Sequence, residues 1–164
     1  MQSATLRGRR GIEYRRALPG RAVGWRLVLD KPSLLGVAGA YANLIEDPSS
    51  VAYGVLFDVS EDDLAHIELT EGVLIDNYHR VIVPVEPLAS AGEAVHAFSL
   101  SSDRRDPDSK PTSRYMGLLI EGALEHRLPP KHIEFLRNIP TCEEPIESLE
   151  MRAAIDNFMR RESK

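Results

Sequence analysis

The sequence predicts an α+β fold, a small, mixed but largely antiparallel, curved or barrel-like sheet with flanking helices. Three observations carry it. Short segments rich in Val, Leu and Tyr are separated by turn residues, which leave no room for parallel crossovers. One well-punctuated helix interrupts them, and the last third of the chain carries apolar residues at helical spacing. The 164 residues suffice for one core, so residues 1–164 read as a single domain.

In chain order, Ser3 to Arg10 reads as a short helix ended by Gly11. Arg7, Arg9, Arg10, Arg15 and Arg16 crowd this start with only Glu13 opposing them, and we read them as a solvated face rather than a targeting or phosphate-binding arm. Arg21 to Asp30 is a strand with Val23, Trp25, Leu27 and Leu29 on one side, followed by a Pro32/Gly36 loop. Gly39 to Ile45 and Val51 to Val59 are two more strands, expected to pair as a hairpin about Asp47-Pro48-Ser49-Ser50. Ser60 with Asp63 opens a helix that Gly72 closes. Tyr78 to Val85 and Ala94 to Leu100, separated by a turn containing Gly92, bring the count to at least five strands, with Pro84 marking an edge or a bulge. Ser113 to Arg127, Lys131 to Arg137 and Ile146 to Arg161 are helical, with Pro129-Pro130 breaking the first from the second. The polar loop Ser101 to Thr112 is expected to be the mobile segment and is a candidate lid, beside the plainer reading of a solvated loop.

Composition narrows the function classes. A net charge of -5 argues against general nucleic-acid binding, which calls for a basic surface. No run of about 18 apolar residues or signal core is present, so neither a membrane span nor a secretory leader is expected. Cys142 is the single cysteine, which forbids an intrachain disulfide and fits a cytoplasmic home. His66, His79, His96, His126 and His132 lack metal-ligand spacing, and no phosphate-binding or dinucleotide fingerprint occurs, so no metal or other cofactor is expected.

The informative stretch is Asp62 to Arg80. On a helix, Glu71 projects between Leu64 and Ile67, so its carboxylate lies on the apolar face. It is also the last helical residue before Gly72. Burial and the negative helix end both disfavour its charged form, the condition for a proton shuttle near neutral pH; a Glu reaching solvent past a short helix end is the plainer alternative.

The ordered set Gly39-Ala40-Tyr41-Ala42-Asn43-Leu44, Val51 to Phe57, Leu64 to Gly72 ending in Glu-Gly, and Tyr78 leading a Val-rich strand resembles the gamma-glutamylcyclotransferase and AIG2-like family. Ser113-Arg114-Tyr115-Met116, Gly122-Ala123 and Leu128-Pro129-Pro130 continue the likeness to about residue 140, while the helix in 145–164 is unassigned by it. The resemblance implies a cofactor-independent enzyme of acyltransferase or lyase type. It would cyclise a gamma-glutamyl amino acid or amine to 5-oxoproline, releasing the free amine. Its partner would be that small substrate, with no nucleic acid or membrane. By the same resemblance Glu71 is the catalytic acid/base, while Tyr115 and Tyr78 contact substrate. Tyr41 and Asn43 lie on a strand that can reach the site, and which of them faces inward is open.

One departure from the family pattern bears on activity. Family members carry Tyr-Gly-Ser-Asn at the end of their first strand, and Met1 stands where the next residue would be. The resemblance therefore implies that this turn and the first family strand are absent from this chain: either the start is misassigned or truncated, or the site does not work, and whether the absent strand leaves a sheet edge for a homodimer is open. The alternative to an enzyme is a catalytically silent relative that binds a small ligand or partner protein.

Overall fold

The computed structural model describes residues 2–33, 39–89 and 93–159. The chain enters through one widened, π-type helical turn at Thr5–Arg9, which buries Leu6 and ends where Gly11 adopts a φ of 62°.

Tyr14–Pro32 (β1) and Ala40–Val59 (β2) then form a long antiparallel pair, from Tyr14 opposite Val59 to Pro32 opposite Ala40. The expected hairpin about Asp47-Pro48-Ser49-Ser50 does not form. β2 runs through those residues as one strand, and both of its halves pair with β1. The reason lies in the register: Val23 faces Val51 and Trp25 faces Glu46, so residues 47–50 bulge opposite Gly24 alone. Gly24 takes a φ of 82°, while Asp47 accepts hydrogen bonds from Ser49 N (3.1 Å), Ser49 Oγ (2.7 Å) and Ser50 Oγ (2.8 Å). Turn chemistry is thus spent inside a strand. The same bulge corrects the expected face of β1. Val23 is left exposed, while Ala22 and Trp25 are buried together.

His79–Pro87 (β3) and Val95–Ser101 (β4) pair from His79 opposite Ser101 to Val85 opposite Val95. The described residues thus contain four strands rather than five, in an open antiparallel sheet of order β2-β1-β3-β4. The turn expected at Gly92 and the Gly36 part of the early loop lie outside the described residues. β1 meets β3 only at Gly20 opposite Pro87 and Arg21 opposite Glu86. A Cβ on Gly20 would lie 2.5 Å from Val85 Cγ1, so this junction requires glycine. Since β1 reaches β3 only there, Pro84, which has no N–H to donate, costs that side of the strand nothing.

Ala22, Trp25, Ala52 and Val83 form one core across β1, β2 and β3. A second joins the helices Ser113–Glu125 (α2) and Pro130–Arg137 (α3), numbered after the helix Glu61–Glu71 (α1), through Met116, Ala123, Leu128, Ile133 and Leu136. Leu27, Leu29 and Val55 pack against it, which fixes α2 beside the sheet. Each large apolar side chain so buried contributes about 1.5–3 kcal/mol. A fourth helix, Ile146–Met159 (α4), follows.

The loop from Ser101 to Thr112 is not a loose lid. Ser102 and Thr112 are buried, Arg105 Nε donates to Asp30 Oδ2 (2.8 Å), and Asp106 N donates to Asp30 O (2.7 Å). Ala40 N in turn donates to Lys110 O (3.0 Å), so the loop is stitched to both strand ends that it crosses.

Candidate active site

α1 starts as its sequence requires. Ser60 Oγ accepts from Asp63 N (3.1 Å) and donates to Asp63 Oδ2 (2.8 Å). It stops at Gly72, whose φ of 74° and close approach to Asn77 Cβ (3.0 Å from a built Cβ) exclude a side chain. Glu71 is thereby fixed as the last helical residue, with its side chain 21% exposed.

The turn beyond it is held from below by buried polar groups. Asn77 Nδ2 donates to Glu71 O (2.9 Å), and Lys31 Nζ donates to Asn77 Oδ1 (2.5 Å) and Pro32 O (3.0 Å). Ser102 Oγ donates to Asn77 O (2.8 Å), Asn43 Oδ1 accepts from Ser102 N (2.9 Å), and Asn43 Nδ2 donates to Ser102 O (2.8 Å). Lys31 is only 2% exposed, and its Nζ lies 4.7 Å from the Tyr78 ring centroid. Burial pulls its ammonium down to about 8, with Arg104 adding repulsion and Glu71 opposing the shift.

Two tyrosines meet on the backbone of one residue, Ala42. Tyr78 Oη donates to Ala42 O (3.1 Å), whereas Tyr115 Oη accepts from Ala42 N (3.1 Å) and so keeps its own proton for another acceptor. Thr112, which caps α2 by accepting from Tyr115 N (3.2 Å), sets the helix start that delivers Tyr115. Burial, then the Glu71 charge, holds the Tyr78 hydroxyl far above its ordinary value. Burial pushes Tyr115 up to about 12, offset by the Ala42 N–H and reinforced by Glu71. Tyr41 stacks edge-on against Tyr115 with centroids 5.1 Å apart.

Glu71, Tyr78, Tyr115 and Tyr41 are therefore brought to one locality. Tyr41 and Asn43 are not alternatives. Two residues apart on a strand, they share a face, Tyr41 at the tyrosine cluster and Asn43 in the network beneath.

Sequence reasoning missed Lys31, Asn77, Ser102 and above all Arg10. Read as part of a solvated basic face, Arg10 instead turns inward, and its Nη1 pairs with Glu71 Oε1. The signal available for Lys31 was a lysine closing the apolar run Leu27-Val28-Leu29 of β1; Arg10 carried none that set it apart from its neighbours.

A separate cavity of about 720 Å³ is bordered by residues 55–60, 95–100, Leu64, Ile67 and Glu68. Consecutive residues of β2 and β4 line it, so strand edges rather than one strand face are presented. Among the described residues no group of three or more His, Cys, Asp or Glu side chains is arranged to hold a metal, and no helix is long and apolar enough to cross a membrane.

The fold is thus an α+β frame, an open antiparallel sheet with flanking helices, that gathers a carboxylate with tyrosines at a helix end. The model of the AIG2-like family matches residues 51–136, more than half of the chain, and the chain belongs to that family. Among solved structures it is similar to a protein titled gamma-glutamyl cyclotransferase, at 17% identity and a TM-score of 0.76, with 93% of this chain and 92% of that one covered. It is also similar to an uncharacterised protein from Homo sapiens (18% identity, TM-score 0.75, 92% and 90% covered). A third likeness is to YkqA from Bacillus subtilis (19% identity, TM-score 0.64), where 76% of this chain aligns with 45% of that one. At these identities the likenesses concern the fold. No curated protein matches the chain.

Proposed function

We propose that this chain is a gamma-glutamyl cyclotransferase in which Glu71 carries the proton. The observation that supports this most is a part-buried carboxylate at a rigidly closed helix end, beside a tyrosine hydroxyl whose proton is uncommitted. Glu71 takes a proton from the alpha-ammonium of a gamma-glutamyl amino acid or amine. The freed amine attacks the gamma-carbonyl, forming the ring C–N bond. As the tetrahedral centre collapses, the bond to the leaving amine breaks, Glu71 delivers the first proton to that amine and the ring nitrogen gives up its second, so 5-oxoproline forms, the amine departs as its ammonium ion, and nothing external is consumed. The nucleophile is tethered to its electrophile, so the protein's task is to hold a ring-closing conformer. In this reading Tyr115 donates to the substrate, and Tyr78, whose proton is engaged by Ala42 O, lines the site with its ring.

The test is 5-oxoproline release from a panel of gamma-glutamyl amino acids and amines. Glu71→Gln is expected to lower the rate by about 10²- to 10⁴-fold. Activity retained in that variant would remove Glu71 from the mechanism. Absence of product from the unaltered chain would favour a silent relative that binds its ligand at the same residues without turnover.

A further inference from the structure

Resting on that reading, we infer that Arg10 and Glu71 together form the receptor for the substrate's zwitterionic head, with Arg10 taking the alpha-carboxylate and thereby setting specificity. An alpha-amino acid end carries an ammonium and a carboxylate on one carbon, and the Arg10–Glu71 ion pair presents the complementary guanidinium and carboxylate side by side. Insertion of the zwitterion exchanges one ion pair for two without leaving a buried charge alone, which is the arrangement that makes entry into a part-desolvated site affordable.

Three features set Arg10 apart from its neighbours. Arg7 turns to Glu13 and stacks over Tyr14, and Arg16 turns to Asp58, whereas the Arg10 side chain, 25% exposed, reaches the carboxylate. Its guanidinium acts electrostatically on both Tyr78 and Tyr115, so it sits with the whole cluster and not at its rim. Its backbone is fixed as well, because Arg10 N closes the entry turn on Arg7 O and Thr5 O and Gly11 leaves the turn at positive φ. The nearby Lys31 is not an equivalent clamp, since its ammonium is already spent on Asn77 and Pro32 beneath the turn.

The experiment pairs a change in the protein with a change in the ligand: gamma-glutamyl-alanine against the same compound with its glutamyl alpha-carboxylate converted to the primary amide, in the unaltered chain, Arg10→Ala and Arg10→Lys. 5-Oxoproline release and calorimetric binding are both read, with circular dichroism to check folding. The unaltered chain is expected to prefer the free acid by on the order of 10- to 100-fold, through KM and affinity. Arg10→Ala should abolish that preference and Arg10→Lys should restore part of it. A general disturbance of Glu71 would slow both compounds equally and leave the preference standing. A preference that survives in Arg10→Ala overturns the inference, as does an unaltered chain that binds both compounds equally or binds neither. Binding without turnover, with the preference lost in Arg10→Ala, would sink the cyclotransferase reading while leaving the receptor in place.

Discussion

Beneath Glu71, Lys31, Asn43, Asn77 and Ser102 are almost wholly buried, and their polar atoms meet one another or the backbone. At the opposite extreme, β2 and β4, the end strands of the sheet, line a 720 Å³ cavity with consecutive residues and no ladder joining them. The first region is polar and closed, the second apolar and open. Buried polar groups are tolerated where every partner is present, and such a network holds one geometry because any displacement leaves a desolvated group unpaired. Strand edges and apolar side chains facing a cavity impose no comparable penalty for rearrangement, and they invite association. The contrast locates rigidity at the end of β2 that carries Tyr41 and Asn43, and adaptability at its other end, residues 55–59, and at β4.

The sharpest way to break this comparison is Asn43→Ala. It strands both the Ser102 N–H and the Ser102 carbonyl in the interior, and we expect a loss of about 2–5 kcal/mol in urea unfolding. A loss below about 1 kcal/mol would mean that the network does not hold the turn.

A smaller effect follows from Lys31, whose ammonium is held to about 8 in the folded chain against an ordinary 10.5. Below pH 8 both folded and unfolded chains carry the proton and the cost of burying it is felt in full. Between pH 8 and about 10 the unfolded chain binds more protons, so stability should rise with pH, by about 2 kcal/mol. Above that, Tyr115, raised to about 12, and Tyr78, raised further, work in the opposite direction, because unfolded tyrosines ionise first. Chemical denaturation at closely spaced pH values should show the rise in the unaltered chain and a flat response in Lys31→Met.

At the open side, Val95 is 46% exposed on β4 and borders the cavity. Val95→Lys should change stability by no more than about 0.5 kcal/mol while increasing the monomer fraction in sedimentation, since an edge lysine opposes strand addition. An unchanged monomer fraction would show that this edge is not a site of association, and a large loss of stability would show that it is already part of the core.

How far the sequence was legible differs along the chain. The span of α1 could be read because its signals are local: a serine cap, an acidic residue three positions on, and a glycine stop. The amphipathic helix that carries Tyr115 was legible from its apolar spacing and starts at Ser113, but only the family resemblance singled out Tyr115 on it. The hairpin failed because Asp47-Pro48-Ser49-Ser50 carries true turn chemistry, which serves equally in a bulge, and the choice between them belongs to the partner strand. The face of Val23 failed with it, since one positive-φ glycine in β1 shifts the alternation that a period-two reading assumes.

The sequence by itself therefore determined the α+β class, the closed helix end that carries Glu71 and the family resemblance, because each rests on short-range patterns. The tertiary structure alone decided that Arg10 meets Glu71 across 61 positions, that Lys31 is buried under Asn77, and that Tyr78 and Tyr115 bond the C=O and the N–H of the same residue, Ala42. Those pairings cost chain entropy that only the assembled sheet and helices offset, so nothing in the local sequence around any one partner announces the other.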